Sequence, residues 1–297
     1  MLSEVKLVTL GVSDLDQACA FYARAMGYQV EESGPVPATL APLWCFDPAL
    51  GGRYAVVAAD GSGLGRIRLV QFDAPGQRLW SEQIRYNGTG YYALNFRCRD
   101  AIATMEAITG AGGSASHEPS YWEVNEQVAV RDSMNQDPDG ICLDVFSYDR
   151  GGELRGPLDT EVSVLQTVAI ATRDVPRSAA FYRGLGFEVL FDRVLDFPGL
   201  QALLGADQPV RIHNINLMKD GNIVPGRVEM FGYLDMEHLP DAPLRDQAVP
   251  PNLGILSASL ASSDLDADCA RLCELGAEPV ARASVSLPGF GPCQVAT

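Results

Sequence analysis

Short runs of alternating or crowded apolar residues recur along the chain. They fall at Lys6–Val12, Arg53–Ala58, Arg66–Phe72, Tyr92–Cys98 and Ile141–Phe146, and again at Gln166–Thr172, Arg211–Met218, Arg227–Tyr233 and Gly254–Leu260. Runs of this length and period predict β-strands with at least one buried face. Between them the apolar spacing changes to three and four, as at Leu15, Ala18, Tyr22 and Ala25, which predicts a helix with one apolar face. An aspartate precedes each helical stretch (Asp14, Asp100, Asp174, Asp264), where its carboxylate can accept from the free N–H groups of the first turn. Gly27, Gly112, Gly186 and Gly276 follow the helices, at the place where a left-handed residue ends them. The unit that emerges is β-α-β-β-β.

That unit is repeated. TLGVSDLDQACAFY at 9–22 parallels AIATRDVPRSAAFY at 169–182, and RAMGYQV at 24–30 parallels RGLGFEV at 183–189. A second pair relates the stretch from Asn95, NFRCRDAIATMEAITGAGG, to the stretch from Ser259, SLASSDLDADCARLCELGA. Self-similarity at this spacing reads as two similar halves of two related modules each. The expected domains are 1–149, with modules 1–72 and 89–148, and 161–297, with modules 161–235 and 250–297. The Gly-rich, charged segment 149–160 is the expected linker. QVAV at 127–130 aligns with QVAT at 294–297, yet the earlier copy runs on through DPDG at 137–140 and a strand. By the repeat, the fourth module lacks its final strand, and either the natural chain is expected to continue through a similar turn and strand or another segment is expected to fill the gap.

Composition narrows the field. A 47% apolar and 20% charged chain is ordinary for a folded protein, and no stretch approaches the length of a membrane span. The N-terminus lacks the basic-then-apolar layout of a signal peptide, so a cytoplasmic location is expected. The net charge of -16, with lysine only at 6 and 219, gives no basic stripe for phosphates and argues against nucleic acid and membrane partners. The 7 cysteines show no CxxC, and Cys269 with Cys273 has no histidine nearby, so a structural zinc site has little support.

GVSDLDQACAFY at 11–22, RDVPRSAAFYRGLGFEV at 173–189 and DPDGICLDVF at 137–146 together resemble the vicinal oxygen chelate superfamily of glyoxalase I, extradiol dioxygenases, epimerases and bleomycin-resistance proteins. The resemblance covers nearly the whole chain. It implies an α+β fold of four tandem βαβββ modules, forming two open-barrel domains that each hold a small molecule. It also implies metal-ligand positions on the first and last strand of each module. In the first half these fall on Leu7, Arg68, Ala93 and Asp144; in the second half on Thr167, Glu229 and Ser257. A cation beside a lone carboxylate does not build a metal site. No metal is therefore expected, Glu229 being the only family-position candidate of the second half, and iron, zinc, manganese or nickel is disfavoured.

Arg68 and Asp144 are expected to face each other across the first cavity, either as an internal ion pair or as a grip on an anionic substrate. Alternation places Arg227, Glu229 and Phe231 on one strand face, with Val228 and Met230 on the other. A carboxylate so placed should have a raised pKa and serve as a proton-transferring base, with His213 on the preceding strand expected nearby. Trp122 and other first-half aromatics suggest stacking of a planar ligand. The reading is a metal-independent isomerase, epimerase or lyase acting on a small oxygenated molecule, with Glu229 and His213 catalytic and Arg68, Asp144, Arg227, Phe231 and Trp122 binding substrate. The alternatives are a non-catalytic protein that sequesters a drug or aromatic metabolite, and a metal-dependent dioxygenase or glyoxalase, disfavoured because none of the 3 histidines occupies a ligand position. One half is expected to work and the other to serve as scaffold, in a monomer or homodimer.

Overall fold

The computed structural model describes residues 2–59, 61, 63–223, 225–236 and 238–297, with the side chains of residues 154 and 155 excepted. The first module comprises β1 (Leu2–Gly11), α1 (Leu15–Met26), β2 (Gln29–Pro35), a short α2 (Ala41–Trp44), β3 (Gly52–Ala58) and β4 (Arg66–Phe72). The second comprises β5 (Gly88–Arg97), α3 (Ala101–Gly110), β6 (Ser114–Ala115), β7 (Ser120–Asn125), β8 (Val128–Gln136) and β9 (Cys142–Arg150). The third comprises β10 (Thr167–Ala171), α4 (Val175–Gly184), β11 (Phe187–Leu195), a short α5 (Leu200–Leu203), β12 (Ile212–Lys219) and β13 (Arg227–Tyr233). After the two-residue β14 (Ala242–Pro243), the fourth has β15 (Gly254–Ser262), α6 (Leu265–Glu274), β16 (Arg282–Leu287) and β17 (Gly291–Ala296).

Each predicted cap forms. Asp14, Asp100, Asp174 and Asp264 accept from first-turn amides of α1, α3, α4 and α6. Gly27 ends α1 at φ 74, a backbone conformation that costs glycine nothing. The recurring motifs also meet: the Tyr22 hydroxyl donates to Asp137 of the DPDG turn at 3.2 Å, and the Ser13 amide donates to Asp139 at 3.0 Å. These bonds lock the first module's helix onto the second module's last turn.

The modules pair across the two halves, not within them. The strand order β15-β1-β4-β3-β2 joins the fourth module to the first, and β11-β12-β13-β10-β5-β9-β8-β6 joins the third to the second. Within a module, the first strand pairs in parallel with the last: β1 with β4, β5 with β9, β10 with β13. That leaves one free edge on each first strand, and the free edges meet antiparallel, Ala93 opposite Ala169 and Leu7 opposite Ser259. Local backbone bonding accounts for the choice of partner. Before β10 begins, the Ser163 amide donates to Arg97 O, the Gln166 amide to Asn95 O, and the Arg99 amide to Glu161 O, so the linker is already laid along β5. The open sheets are as expected, but the expectation that each half forms its own is corrected, since each large sheet joins modules of both halves. β16 pairs only with β17, and the fourth module has no further strand before Thr297.

Candidate functional site

A cavity of about 470 Å³ lies inside the curved sheet made by the second and third modules. Strand alternation decides which side chains reach it. On β13, Val228 and Met230 are 1% and 0% exposed in the core, whereas Arg227, Glu229 and Phe231 line the cavity. On β12, Asn214 and Asn216 face inward; on β5, Ala93 and Asn95 do; on β9 and β8, Asp144, Phe146, Asp132 and Met134 do.

Glu229 is held by three amides. Its Oε1 accepts from Asn214 Nδ2 at 2.6 Å, and its Oε2 accepts from Asn95 Nδ2 at 2.9 Å and Asn216 Nδ2 at 3.2 Å. Burial pushes its pKa up; the Asn214 bond and the Arg227 charge pull it back, and Asp132 pushes the same way as burial. Because each NH₂ group must point at the carboxylate, the amide orientations are fixed, which leaves Oδ1 of Asn95 and of Asn216 buried without a donor. Thr167 Oγ1, beside them on β10, is buried and unpartnered too.

A second acidic group sits in the same cavity. Asp132 is buried and Asp144 half-buried, and the two hydrogen-bond to each other, which two carboxyl groups do only by sharing a proton. Burial raises Asp144 well above the usual carboxylate range, and the charges of Asp132 and Glu229 raise it further. Asp132 is raised by burial while bonds from Asp144, Trp122 and the Ser133 amide hold it down, so the shared proton resides on Asp144. Trp122 Nε1 donates to Asp132 Oδ2 at 3.2 Å, and its ring stacks on Phe197 with centroids 5.0 Å apart and planes 10° from parallel.

The structure therefore brings Glu229, Asp144, Arg227, Phe231 and Trp122 together. It separates the other two predicted site residues from them. His213 lies one residue out of step with Asn214 and Asn216, pairs in register with Gly232, and bonds at 2.8 Å to Asp192; Asp192 lines the cavity, but His213 itself does not. Arg68 does not face Asp144: it lies in a separate cavity between the first and fourth modules, bonded to Thr9 and to Pro288 O. Asp132, Asn95, Asn214 and Asn216 were not anticipated; their signal was only a polar residue at the inward phase of a strand.

The four family ligand positions around this cavity are Ala93, Asp144, Thr167 and Glu229. They offer a methyl group, a carboxyl sharing its proton with Asp132, a hydroxyl, and a carboxylate whose two oxygens both face amide hydrogens. Arg227, a fixed cation, lies on the same strand face as Glu229. Among the described residues no group of three or more His, Cys, Asp or Glu side chains is arranged to hold an ion. The donor set does not fit the divalent metal of the fold family, because amide hydrogens point where the ion would need lone pairs.

Comparison with known proteins agrees with this architecture. Residues 5–145 match the family model of the Glyoxalase/Bleomycin resistance protein/Dioxygenase superfamily. Among solved structures, glyoxalase I from Zea mays superposes with a TM-score of 0.60 and 17% identity, covering 97% of this chain and 85% of that one. A point mutant of the same enzyme gives 0.64 and 17%, covering 98% and 88%. At such identity the likeness is one of fold. No protein of curated function matches the chain. Among the described residues, no helix is long and apolar enough to cross a membrane.

Proposed function

We propose, from the match of residues 5–145 to the Glyoxalase/Bleomycin resistance protein/Dioxygenase superfamily, that the chain is a metal-independent enzyme moving a proton on a small oxygenated molecule, an isomerase, epimerase or lyase by type. The observation that carries this reading is the pairing, in one cavity, of a buried carboxylate, Glu229, with a carboxylic acid that keeps its proton, Asp144. Two titratable groups pushed apart by their surroundings divide naturally into base and acid.

Glu229 Oε1 accepts a single amide bond and retains a lone pair for substrate. It takes a proton from a carbon beside a carbonyl, and the electron pair moves onto the carbonyl oxygen. The Asp144 O–H exchanges its bond to Asp132 for one to that oxygen as the oxygen's charge grows. Glu229 then returns the proton to that carbon and the electron pair falls back from the oxygen, so the carbonyl is restored and a return to the opposite face inverts the centre. Arg227 and Phe231 flank the base, and the Trp122–Phe197 stack forms an aromatic wall for the rest of the substrate.

The test is exchange of substrate C–H for C–D in heavy water, read by NMR over a panel of hydroxy-carbonyl metabolites after removal of metals with a chelator. Glu229→Gln keeps the shape and should lower exchange by roughly 10²–10⁴-fold. Unchanged exchange in Glu229→Gln would overturn the assignment of the base. Tight binding with no exchange would favour the second reading, a sequestering protein, which the Trp122–Phe197 stack supports.

A further inference from the structure

The second cavity, of about 770 Å³, lies between the first and fourth modules and is separate from the candidate active site. The internal repeat makes the two cavities comparable residue by residue. On the working side, Ala169 of β10 lies in register with Glu229 of β13. On the other side, the equivalent Thr9 of β1 lies in register with Arg68 of β4. The same place in the fold carries a carboxylate in one cavity and a guanidinium in the other.

Arg68 is 1% exposed, yet it has no ion-pair partner among the described residues. Its Nε and Nη2 donate to Pro288 O, its Nη1 donates to Thr9 Oγ1 at 2.9 Å, and its remaining N–H groups are unpartnered. Glu32, whose charge favours the Arg68 cation, makes its hydrogen bonds elsewhere, accepting from the Tyr54 hydroxyl at 2.6 Å and the Gly289 amide at 2.9 Å. Burial pulls the Arg68 pKa down to about 10, still far above neutrality, so the side chain remains a cation. A buried charge without a directly bonded counter-ion is costly, and a planar guanidinium is best satisfied by a carboxylate in its plane. Trp44 lies against the guanidinium, 5.3 Å from ring centroid to Cζ. Across β1, Ser257 stands opposite Thr9 and Ser259 opposite Leu7, adding hydroxyls to the same cavity wall.

We propose that the cavity between the first and fourth modules is a second small-molecule site, selective for an aryl or alkyl carboxylate whose anionic end is bound by Arg68 and whose apolar part lies along Trp44 and Phe290. This site stands independently of the proton-transfer reading of the first cavity, where acids dominate and such an anion would be repelled.

Benzoate and its uncharged counterpart benzamide are suitable probes, with binding measured by calorimetry on the full chain. Benzoate should bind the unaltered protein and Glu229→Gln equally, and benzamide at least tenfold more weakly. Arg68→Met should weaken benzoate at least tenfold, whereas Arg68→Lys should retain part of the affinity. Should Arg68→Met fail to fold, judged by circular dichroism, Ser257→Phe fills the cavity beside Thr9 and should block benzoate. Absence of benzoate binding, equal binding of benzamide, binding unchanged by both Arg68→Met and Ser257→Phe, or binding altered only by Glu229→Gln would each overturn the proposal.

Discussion

Asp144 keeps its proton because two carboxyls buried side by side cannot both ionise, and the Trp122 bond to Asp132 decides which of them gives way. An acid whose pKa is raised on folding contributes stability that is complete below its unfolded value, near 3.8, and is lost as pH climbs through the raised one. Asp144→Asn preserves the shape and a donor to Asp132 but cannot ionise. From about pH 5 to about pH 9 the melting temperature of the unaltered protein should therefore fall relative to that of Asp144→Asn. Parallel curves would show that the pair does not share a proton. At this scale the sequence was legible wherever period alone decides: Val228 and Met230 inward to the core, Glu229 into the cavity. It was not legible for the three asparagines around Glu229. Nothing local marks Asn95, on a distant strand, as a partner of Asn214 and Asn216. The expected position of His213 failed for a simple reason, since one step along a strand moves a side chain to the other face.

The elements themselves follow from local chemistry, and their boundaries come out close to those expected: Arg66–Phe72 and Arg227–Tyr233 match to the residue. The caps permit a graded test, because the same aspartate starts helices of unequal burial. In α3 the Asp100 carboxylate accepts from both the Ile102 and Ala103 amides, and the helix buries Ala101, Thr104, Met105 and Ile108. In α6 Asp264 accepts from Ala267, but the helix buries no residue. Asp100→Ala should destabilise the protein to urea by about 0.5–2 kcal/mol. Asp264→Ala loses a similar local bond, but α6 can fray without exposing core, so global unfolding should shift by less. An equal or larger effect at Asp264 would mean that α6 is more tightly coupled to the core than its exposure indicates.

At the scale of the whole molecule, the pairing of modules was the part hidden from the sequence. Each free first-strand edge suits either of two partners, and the repeat pattern is the same for both. What decides is the route of the chain between 156 and 166, whose amides bond along β5 and deliver β10 to it. Asp144 and Glu229, which lie in different halves, therefore share one cavity, because the halves exchange modules. It also makes a prediction about the halves. Each cavity is walled by residues from both halves; the ladder of β5 with β10 lies in the middle of its sheet, and the ladder of β1 with β15 ties the fourth module's first strand to the first module's. Separating the halves would expose these edges and the apolar faces behind them, including Leu94 and Val168, which are 0% and 1% exposed. A protease site inserted at Gly156, where a glycine sits at φ 73 between the two halves, should therefore cut the chain without releasing its parts. The cut protein should elute from a sizing column with both fragments in equal amount and keep most of its cooperative unfolding. Residues 1–156 expressed alone should aggregate. Two separately folded fragments after cleavage would sink this account, because independent halves cannot share the cavity in which Glu229 and Asp144 meet.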